Sequence, residues 1–325
     1  MSLLSVENLS IAYQTRSGPA LAVDDVSFHL EKGESLGIVG ESGCGKTTIG
    51  MGLLRLLPPN GRMTRGSVWF DGIDLRQLSE ESMQALRWER ISMVFQAAMN
   101  AWNPVQRVGD QIIEAIRTHN PKISKKAAAE QVAGLYEAVD IPVERLFDYP
   151  HEYSGGMKQR AIIAMALACD PELVIADEPT TALDVIVQDQ IVRKLKSIQK
   201  ERNIAVIFIS HDIGVVAEVC HWIRVMYKGR IVEAGSREEV FSTPAHPYTQ
   251  ALLSSYLTID GVLNVERKRR ESPPFSSMES LGRGLCGYLP HCRLADAQCR
   301  TLPPEWRRLT DTHHALCRIC GECAP

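Results

Sequence analysis

The sequence predicts an α/β fold, a largely parallel sheet covered by helices, and three observations carry that expectation. A glycine-rich segment, Gly40 to Thr47, stands between an apolar strand, Ser35 to Val39, and a helix expected from Gly45 to about Leu57. Apolar runs of strand length return after Pro171, at Leu173 to Ala176, Ile204 to Ile209 and Trp222 to Tyr227, the first two joined by a helix over Val185 to Gln199. Such strand–helix–strand alternation is the pattern of parallel strands with crossover helices. Between the two β-rich parts, Val105 to Cys169 changes to helical spacing.

In chain order, Leu3 to Tyr13 reads as a strand with Glu7 inside it, and Gly33-Glu34 precedes the strand that leads into the glycine segment. Pro58-Pro59 stops the first helix, because proline lacks the amide hydrogen that a helix interior needs. Gly66 to Phe70 enters a turn at Asp71-Gly72, and Ile91 to Phe95 is another buried strand. Val108, Ile112, Ile113 and Ile116 share one helical face, as do Val132, Leu135, Tyr136 and Val139. The helical block therefore reads as an insertion, about residues 97–170, within a domain of residues 1–255. Residues 256–325 read as a linker and a cysteine-rich region: Glu266 to Glu271 is a charge run, Ser272 to Ser277 is rich in serine and proline, and Asp260 to Ser280 is linker-like. No internal repeat is visible.

A length of 325 residues suits one large domain plus a tail. The hydrophobic fraction of 45% and charged fraction of 23% are ordinary for a globular chain, and a formal charge of -3 leaves no general basic footprint for nucleic acid. Arg267-Lys268-Arg269-Arg270 reads as solvated linker in preference to a lipid or RNA contact. No apolar run reaches the roughly 18 residues of a membrane span, and no secretory signal is visible. Of the cysteines, Cys44, Cys169 and Cys220 are scattered, while Cys286, Cys292, Cys299, Cys317, Cys320 and Cys323 crowd the tail. Without an export signal, such a cluster points to metal in preference to disulfides.

Gly40-Glu41-Ser42-Gly43-Cys44-Gly45-Lys46-Thr47 fits G-x-x-x-x-G-K-[ST]. Its glycines permit a tight turn whose amides surround phosphate oxygens at a helix N-terminus. Lys46 would reach the β- and γ-phosphates, and the Thr47 hydroxyl would hold Mg2+. Leu173 to Glu178 is an apolar strand ending in two carboxylates, Asp177 directed at the metal and Glu178 turned differently, able to polarise the attacking water. Ser154-Gly155-Gly156 opens another helix, with Met157, Ala161, Met165 and Ala168 on its apolar face. Ser154 is a good cap and the amides behind it are free donors, which makes a second anion site in one chain. One chain has no need of two γ-phosphate sites on opposite sides, whereas two chains facing each other do. Cys44 has two readings: a thiol of lowered pKa at a helix N-terminus, whose alkylation blocks ATP binding, or a small residue that fits the loop. Cys169 and Cys220 read as packing residues.

Taken together, these segments resemble the nucleotide-binding subunits of ATP-binding cassette (ABC) transporters over about Leu3 to Ser255. The resemblance implies a P-loop NTPase core of ABC type, with an antiparallel β subdomain, an inserted helical subdomain and a small cysteine-rich C-terminal tail. It implies that Gln96 belongs to a Q-loop, that Ala182-Leu183-Asp184 is the D-loop and that His211 is the H-loop histidine facing the γ-phosphate. Tyr13 stands where the family stacks an aromatic ring on adenine. ATP would contact Gly40, Ser42, Gly43, Cys44, Gly45, Lys46, Thr47 and Thr48 of one subunit and Ser154, Gly155, Gly156 and Met157 of the other. Thr47, Gln96 and Asp177 would hold Mg2+, and Glu178, His211 and Gln96 would serve hydrolysis.

Met157 replaces the commoner Gln, and the subgroup importing peptides and nickel often shows Met there. Asn103-Pro104, preceded by Trp102 in place of Leu, and His246-Pro247-Tyr248-Thr249-Gln250-Ala251-Leu252-Leu253 resemble further segments of that subgroup. The spacing of Cys286, Cys292, Cys299 and Cys317 resembles the tail of dipeptide and oligopeptide importer ATPases, for which a [4Fe–4S] cluster is implied. Zn2+ is the alternative, with His313 and His314 near, and unliganded thiols a third; Cys317, Cys320 and Cys323 could exchange as ligands.

The implied function is an ATP-hydrolysing subunit energising import of dipeptides or oligopeptides. Nickel or another small solute is the alternative cargo, and a soluble ABC ATPase of translation or DNA repair is the rival from another class. The implied partners are a second ABC ATPase subunit, identical or related, two transmembrane permease subunits and an extracytoplasmic solute-binding protein, with no nucleic acid. The chain would sit peripherally on the cytoplasmic face of the membrane, with the segment from Ala97 to Asp110 meeting a helix of the membrane subunits.

Overall fold

A computed structural model describes residues 2–96, 98–181, 183–257 and 284–319. The expected linker from Asp260 to Ser280, Ala182 of the expected D-loop, and Cys320 and Cys323 lie outside the described residues.

β1 (Leu4–Thr15) and β2 (Gly18–Leu30) form an antiparallel ribbon, and β3 (Ser35–Val39) feeds the glycine loop and α1 (Lys46–Leu53). β4 (Gly61–Phe70) pairs with β1 and the short β5 (Ile73–Asp74) with β4, giving an antiparallel sheet of order β2-β1-β4-β5. α2 (Glu80–Leu86) and β6 (Ile91–Val94) precede the insertion of α3 (Val108–His119), α4 (Lys125–Ala138) and α5 (Gly155–Ala166). Then follow β7 (Leu173–Asp177), α6 (Val185–Arg202), β8 (Ala205–Ser210), α7 (Ile213–Val219) and β9 (Trp222–Tyr227). β10 (Arg230–Ser236) turns back antiparallel on β9, before α8 (Arg237–Ser242) and α9 (Pro247–Leu257). The tail adds β11 (Trp306–Arg308) and β12 (His314–Leu316). The second sheet runs β11-β12-β10-β9-β3-β8-β7-β6, parallel from β9 to β6.

β3, β7 and β8 are buried at every position, because both faces of the parallel sheet are covered. Strand alternation divides their side chains between two cores. Leu36, Ile38, Ile175, Ile207 and Ile209 pack with Leu9, Ile11, Phe28 and Phe70 of the antiparallel sheet. Val39, Val174, Ala176, Val206 and Phe208 face the other way, into a core shared with Ile112, Val132 and Tyr136 of the helical insertion. Val108, Ile112, Ile113 and Ile116 are all buried, as their spacing predicts.

Three differences from the sequence reading have local causes. α1 stops at Leu53, short of Leu57, because Arg55 turns to φ 53° and its guanidinium bonds the Leu78 carbonyl at 2.6 Å. β2 escapes a period-two reading because Asp25, at φ 57°, interrupts it: Val23 and Val26 are buried three apart, and alternation resumes at Phe28 and Leu30. The tail does not stand apart from the main domain, since β12 pairs with β10 through Glu233–Ala315 and Ala234–His314. Three-residue strands carry almost no periodic signal.

A buried carboxylate fastens that junction. Glu233, fully buried on β10, accepts from the backbone amides of Ala245 and His246 at 2.8 Å each and meets Nε2 of His313 at 2.7 Å. Glu239 completes a capping box with Ser236 at the start of α8 and also receives the hydroxyls of Thr310 and Thr312 from the tail.

Candidate nucleotide site

The loop between β3 and α1 has no room for side chains at two glycines. A Cβ on Gly40 would lie 2.1 Å from the Met226 carbonyl oxygen, and one on Gly45, at φ 109°, 2.2 Å from that of Ala22. The loop is thus seated between the end of β9 and the antiparallel sheet. Lys46, almost fully buried, donates to the Gly40 and Glu41 carbonyls at 2.6 and 2.9 Å. A cleft over the loop is lined by Tyr13, Ala22, Ser42, Gly43, Gly45, Lys46, Thr47, Thr48, Gln96 and Glu178. The Tyr13 hydroxyl lies 3.2 Å from that of Thr48, which ties the aromatic ring to the loop. Cys44 corrects one reading: its thiol is buried, and burial outweighs the neighbouring Lys46 and raises its pKa, so no activated thiol results.

The two carboxylates at the end of β7 differ in environment. Asp177 is fully buried, and neither of its oxygens has a hydrogen-bond partner. Burial pushes its carboxyl up to about 6, against the lowering effect of the Thr47 hydroxyl. A buried, unsatisfied carboxylate beside a threonine hydroxyl is a donor set that fits a hard divalent cation. Glu178 breaks strand alternation at φ 47° and turns away from that position. One of its oxygens lies 2.7 Å from His211 Nδ1 and the other accepts from the Thr181 hydroxyl at 2.7 Å. Burial opposes ionisation, but the bonds from His211 and Thr181 outweigh it and hold the Glu178 pKa below the ordinary carboxylate value. Thr181 had no signature in the sequence, and His211, expected against phosphate, rests here on Glu178.

Ser154, Gly155, Gly156, Met157 and Asp184 are not among the residues lining that cleft. The Ser154 hydroxyl caps α5, accepting from the Met157 amide at 3.3 Å, and Asp184 caps α6, accepting from the Val187 amide at 2.9 Å. A Cβ on Gly156 would come within 2.8 Å of Val187, so the two helix starts are packed together.

Beside Gln96, an apolar groove runs between β6 and α5, lined by Trp88, Phe95, Trp102, Ile162 and Met165 among others. Phe95 is 42% exposed. Ser92 and Trp102 also line the groove, and the Ser92 hydroxyl and Trp102 Nε1 are buried without hydrogen-bond partners. Gln111 bonds the Asn103 backbone on both sides, at 3.0 and 3.1 Å, and so holds the loop that carries Trp102.

Cys286, Cys292, Cys299 and Cys317 come together around one cavity, with Tyr288 and His246 in its wall. Burial raises the pKa of Cys286, Cys292 and Cys299. Among the described residues, no group of three or more His, Cys, Asp or Glu side chains is arranged to hold a metal ion. His313 is committed to Glu233 and His314 lies on β12; neither lines the cavity, which removes the histidine part of the zinc alternative. Cys220 is buried as a packing residue, and burial pushes the Cys169 thiol up to about 11. Among the described residues no helix is long and apolar enough to cross a membrane.

Both the sequence and the fold are similar to those of known proteins. The family model for ABC transporters matches residues 23–181, and that for the C-terminal region of oligopeptide/dipeptide transporters matches residues 232–299. The chain is 49% identical over 261 residues to the oligopeptide transport ATP-binding protein OppD of Bacillus subtilis, covering 79% of this chain and 73% of that one. It is 43% identical over 305 residues to OppD of Escherichia coli, covering 93% and 89%. Among solved structures, the dimeric post-hydrolysis ATP-binding cassette MJ0796 bound to ADP and Pi aligns with a TM-score of 0.65 at 25% identity, covering 72% of this chain and 98% of that one. The cassette cbiO1 from Clostridium perfringens aligns with a TM-score of 0.65 at 28% identity, covering 74% and 91%.

Proposed function

Because this chain belongs to the ATP-binding proteins of oligopeptide and dipeptide ABC transporters, we propose that it hydrolyses ATP to drive peptide import. It acts as one half of a pair of cassettes, seated against two membrane permease subunits on the cytoplasmic face and supplied by an extracytoplasmic solute-binding protein. The single observation that carries the ATPase chemistry is the convergence of Lys46, Thr47, Gln96 and Glu178 on one cleft, with Asp177 buried and unsatisfied beside Thr47.

In this reading the loop from Gly40 to Thr48 cradles the phosphates and Lys46 exchanges the Gly40 and Glu41 carbonyls for them. Thr47, Gln96 and Asp177 would hold Mg2+, which would neutralise phosphate charge. Glu178, ionised and oriented by His211 and Thr181, takes the proton of the attacking water. Tyr13 supports the adenine. Ser154, Gly155, Gly156 and Met157 lie outside the cleft, which favours their serving the ATP of the partner cassette, with Asp184 at the junction. Closure follows if ATP binds the paired state more tightly than the open one. The groove of Phe95 and Trp102 takes a helix of the permease, where Trp102 Nε1 and the Ser92 hydroxyl find acceptors.

For the tail we propose a [4Fe–4S] cluster held by Cys286, Cys292, Cys299 and Cys317. What supports this reading is that four cysteines ring one cavity, the number of thiolates such a cluster takes, with no histidine of the tail among them.

The test is to purify the chain with its membrane subunits and measure ATP turnover with candidate solutes. Stimulation by di- or oligopeptides, abolished by Lys46→Ala, is expected. Stimulation by nickel and not by peptides would overturn the cargo, and full turnover by Lys46→Ala would overturn the site.

A further inference from the structure

The phosphate loop is held from outside by a residue of the C-terminal segment. Tyr248, in the first turn of α9 and only 2% exposed, accepts a 3.0 Å hydrogen bond from the Glu41 backbone amide. The carbonyl of the same residue, with that of Gly40, carries the Lys46 ammonium. One short stretch of backbone therefore joins the lysine to the tyrosine. The Tyr248 ring packs against Tyr227 at a centroid separation of 4.5 Å and against Tyr288 at 5.5 Å, while Tyr227 and Tyr288 meet edge-on at 5.4 Å. Tyr288 lies between Cys286 and Cys292 in sequence and lines their cavity.

A second contact runs in parallel. Lys228 donates to the Gly287 carbonyl, between Cys286 and Tyr288, at 3.3 Å, and the adjacent Gly229 amide bonds the Cys44 carbonyl at 2.9 Å. Both contacts lead from the cysteine loop to the phosphate loop.

We propose that Tyr248 is a positioning residue of the nucleotide site and that Tyr288 seats it, so that occupancy of the cysteine-lined cavity sets the ATP affinity of the phosphate loop. The inference rests on the ATP reading and on a metal group in that cavity. An anion-binding loop must hold several amides in one convergent arrangement. Anchoring Glu41 before nucleotide arrives removes part of the ordering cost from binding. A metal group that ties Cys286 to Cys292 holds Tyr288 between them. Without that tie, the ring that backs Tyr248 is free to shift, and the hydroxyl withdraws from Glu41.

The experiment titrates the full-length, metal-loaded chain with a fluorescent ATP analogue. Tyr248→Phe keeps the ring and removes only the bond; its Kd is expected to rise about 3–10-fold, the range of one hydrogen bond. The KM for ATP should rise by the same factor, with kcat unchanged within about twofold. Chelating the metal, with loss checked by elemental analysis, should raise the wild-type Kd similarly but add nothing in Tyr248→Phe, as two changes on one route do not add. Tyr288→Ala should match metal removal, whereas Tyr288→Phe should behave as wild type. An unchanged Kd in Tyr248→Phe overturns the positioning role. Additive effects of chelation and Tyr248→Phe, or a chain that binds no metal, overturn the coupling. Lys46→Ala is the control: normal nucleotide binding by that variant would instead remove the ATP reading itself.

Discussion

Glu178 and His211 meet at 2.7 Å, and Thr181 holds the other carboxylate oxygen at the same distance. Each oxygen of Glu178 is therefore oriented from a different segment, one from the residue after β8 and one from the turn after β7. A carboxylate held on both oxygens and kept ionised has its direction set before any nucleotide arrives. That is the property a general base requires, and it leads to the first two predictions.

Glu178→Gln keeps the shape and the Thr181 contact but removes the base. ATP binding should be retained, turnover should fall by about 10²–10⁴-fold, and ATP-bound pairs should accumulate. Near-normal hydrolysis, with no dimer seen by size-exclusion chromatography in Mg-ATP, would remove Glu178 from the role.

Thr181→Val releases one carboxylate oxygen without touching nucleotide. A drop of about tenfold in kcat with KM for ATP nearly constant is expected, since only the orientation of the base is disturbed. A change confined to KM would place Thr181 in binding.

Ser154→Ala tests the proposed second anion site at the start of α5. Loss of the cap costs α5 about 1 kcal/mol, a modest fraction of domain stability. Nucleotide binding by the single chain should survive, whereas ATP-driven pairing and turnover should not. Normal pairing measured by analytical ultracentrifugation would contradict a shared nucleotide.

The tail clasp is pH-dependent through Glu239. Burial raises its pKa, but bonds from Thr310, the Ser236 amide and Thr312 outweigh that and bring it down to about 2, from 4.5. The unfolded chain therefore binds the proton more readily, so the stabilisation is fully present above 4.5 and is lost as pH falls toward 2. Glu239→Gln should flatten the fall in thermal midpoint between about pH 5 and about pH 3. An identical slope in both proteins would show that the clasp carries no such linkage.

Anaerobic purification should return about four irons and about four sulfides per chain. Cys292→Ser should lower both together. Stoichiometric zinc in place of iron would establish the other metal.

Much of the cassette was legible because its signals are local. The phosphate loop, the strand from Leu173 to Asp177 and the α3 face of Val108, Ile112 and Ile116 each follow from spacing over one turn or one strand. Of the two readings of Cys44, the activated thiol fails, because helix position lowers a pKa while burial raises it, and burial is a tertiary quantity. Thr181 carried no signal, and Tyr248 was legible only as part of the segment from His246 to Leu253, for a related reason. Each acts through one hydrogen bond to a group whose position depends on how separate elements pack.

The sequence by itself determined the chemistry available: a glycine-rich loop with Lys46, two terminal carboxylates, a second helix start capped by serine and a cysteine-rich tail. Those are matters of residue type at short separation. Only the tertiary structure decided that His211 and Thr181 share Glu178, that Asp177 is buried with no partner, and that the four cysteines ring one cavity. It also joined the tail to the core through Glu233 with His313, and α9 to the phosphate loop through Tyr248 with Glu41, pairs 80 and 207 residues apart in the chain. Contacts at such separation depend on the summed burial of both cores and the pairing of β10 with β12, and no window of sequence contains that sum.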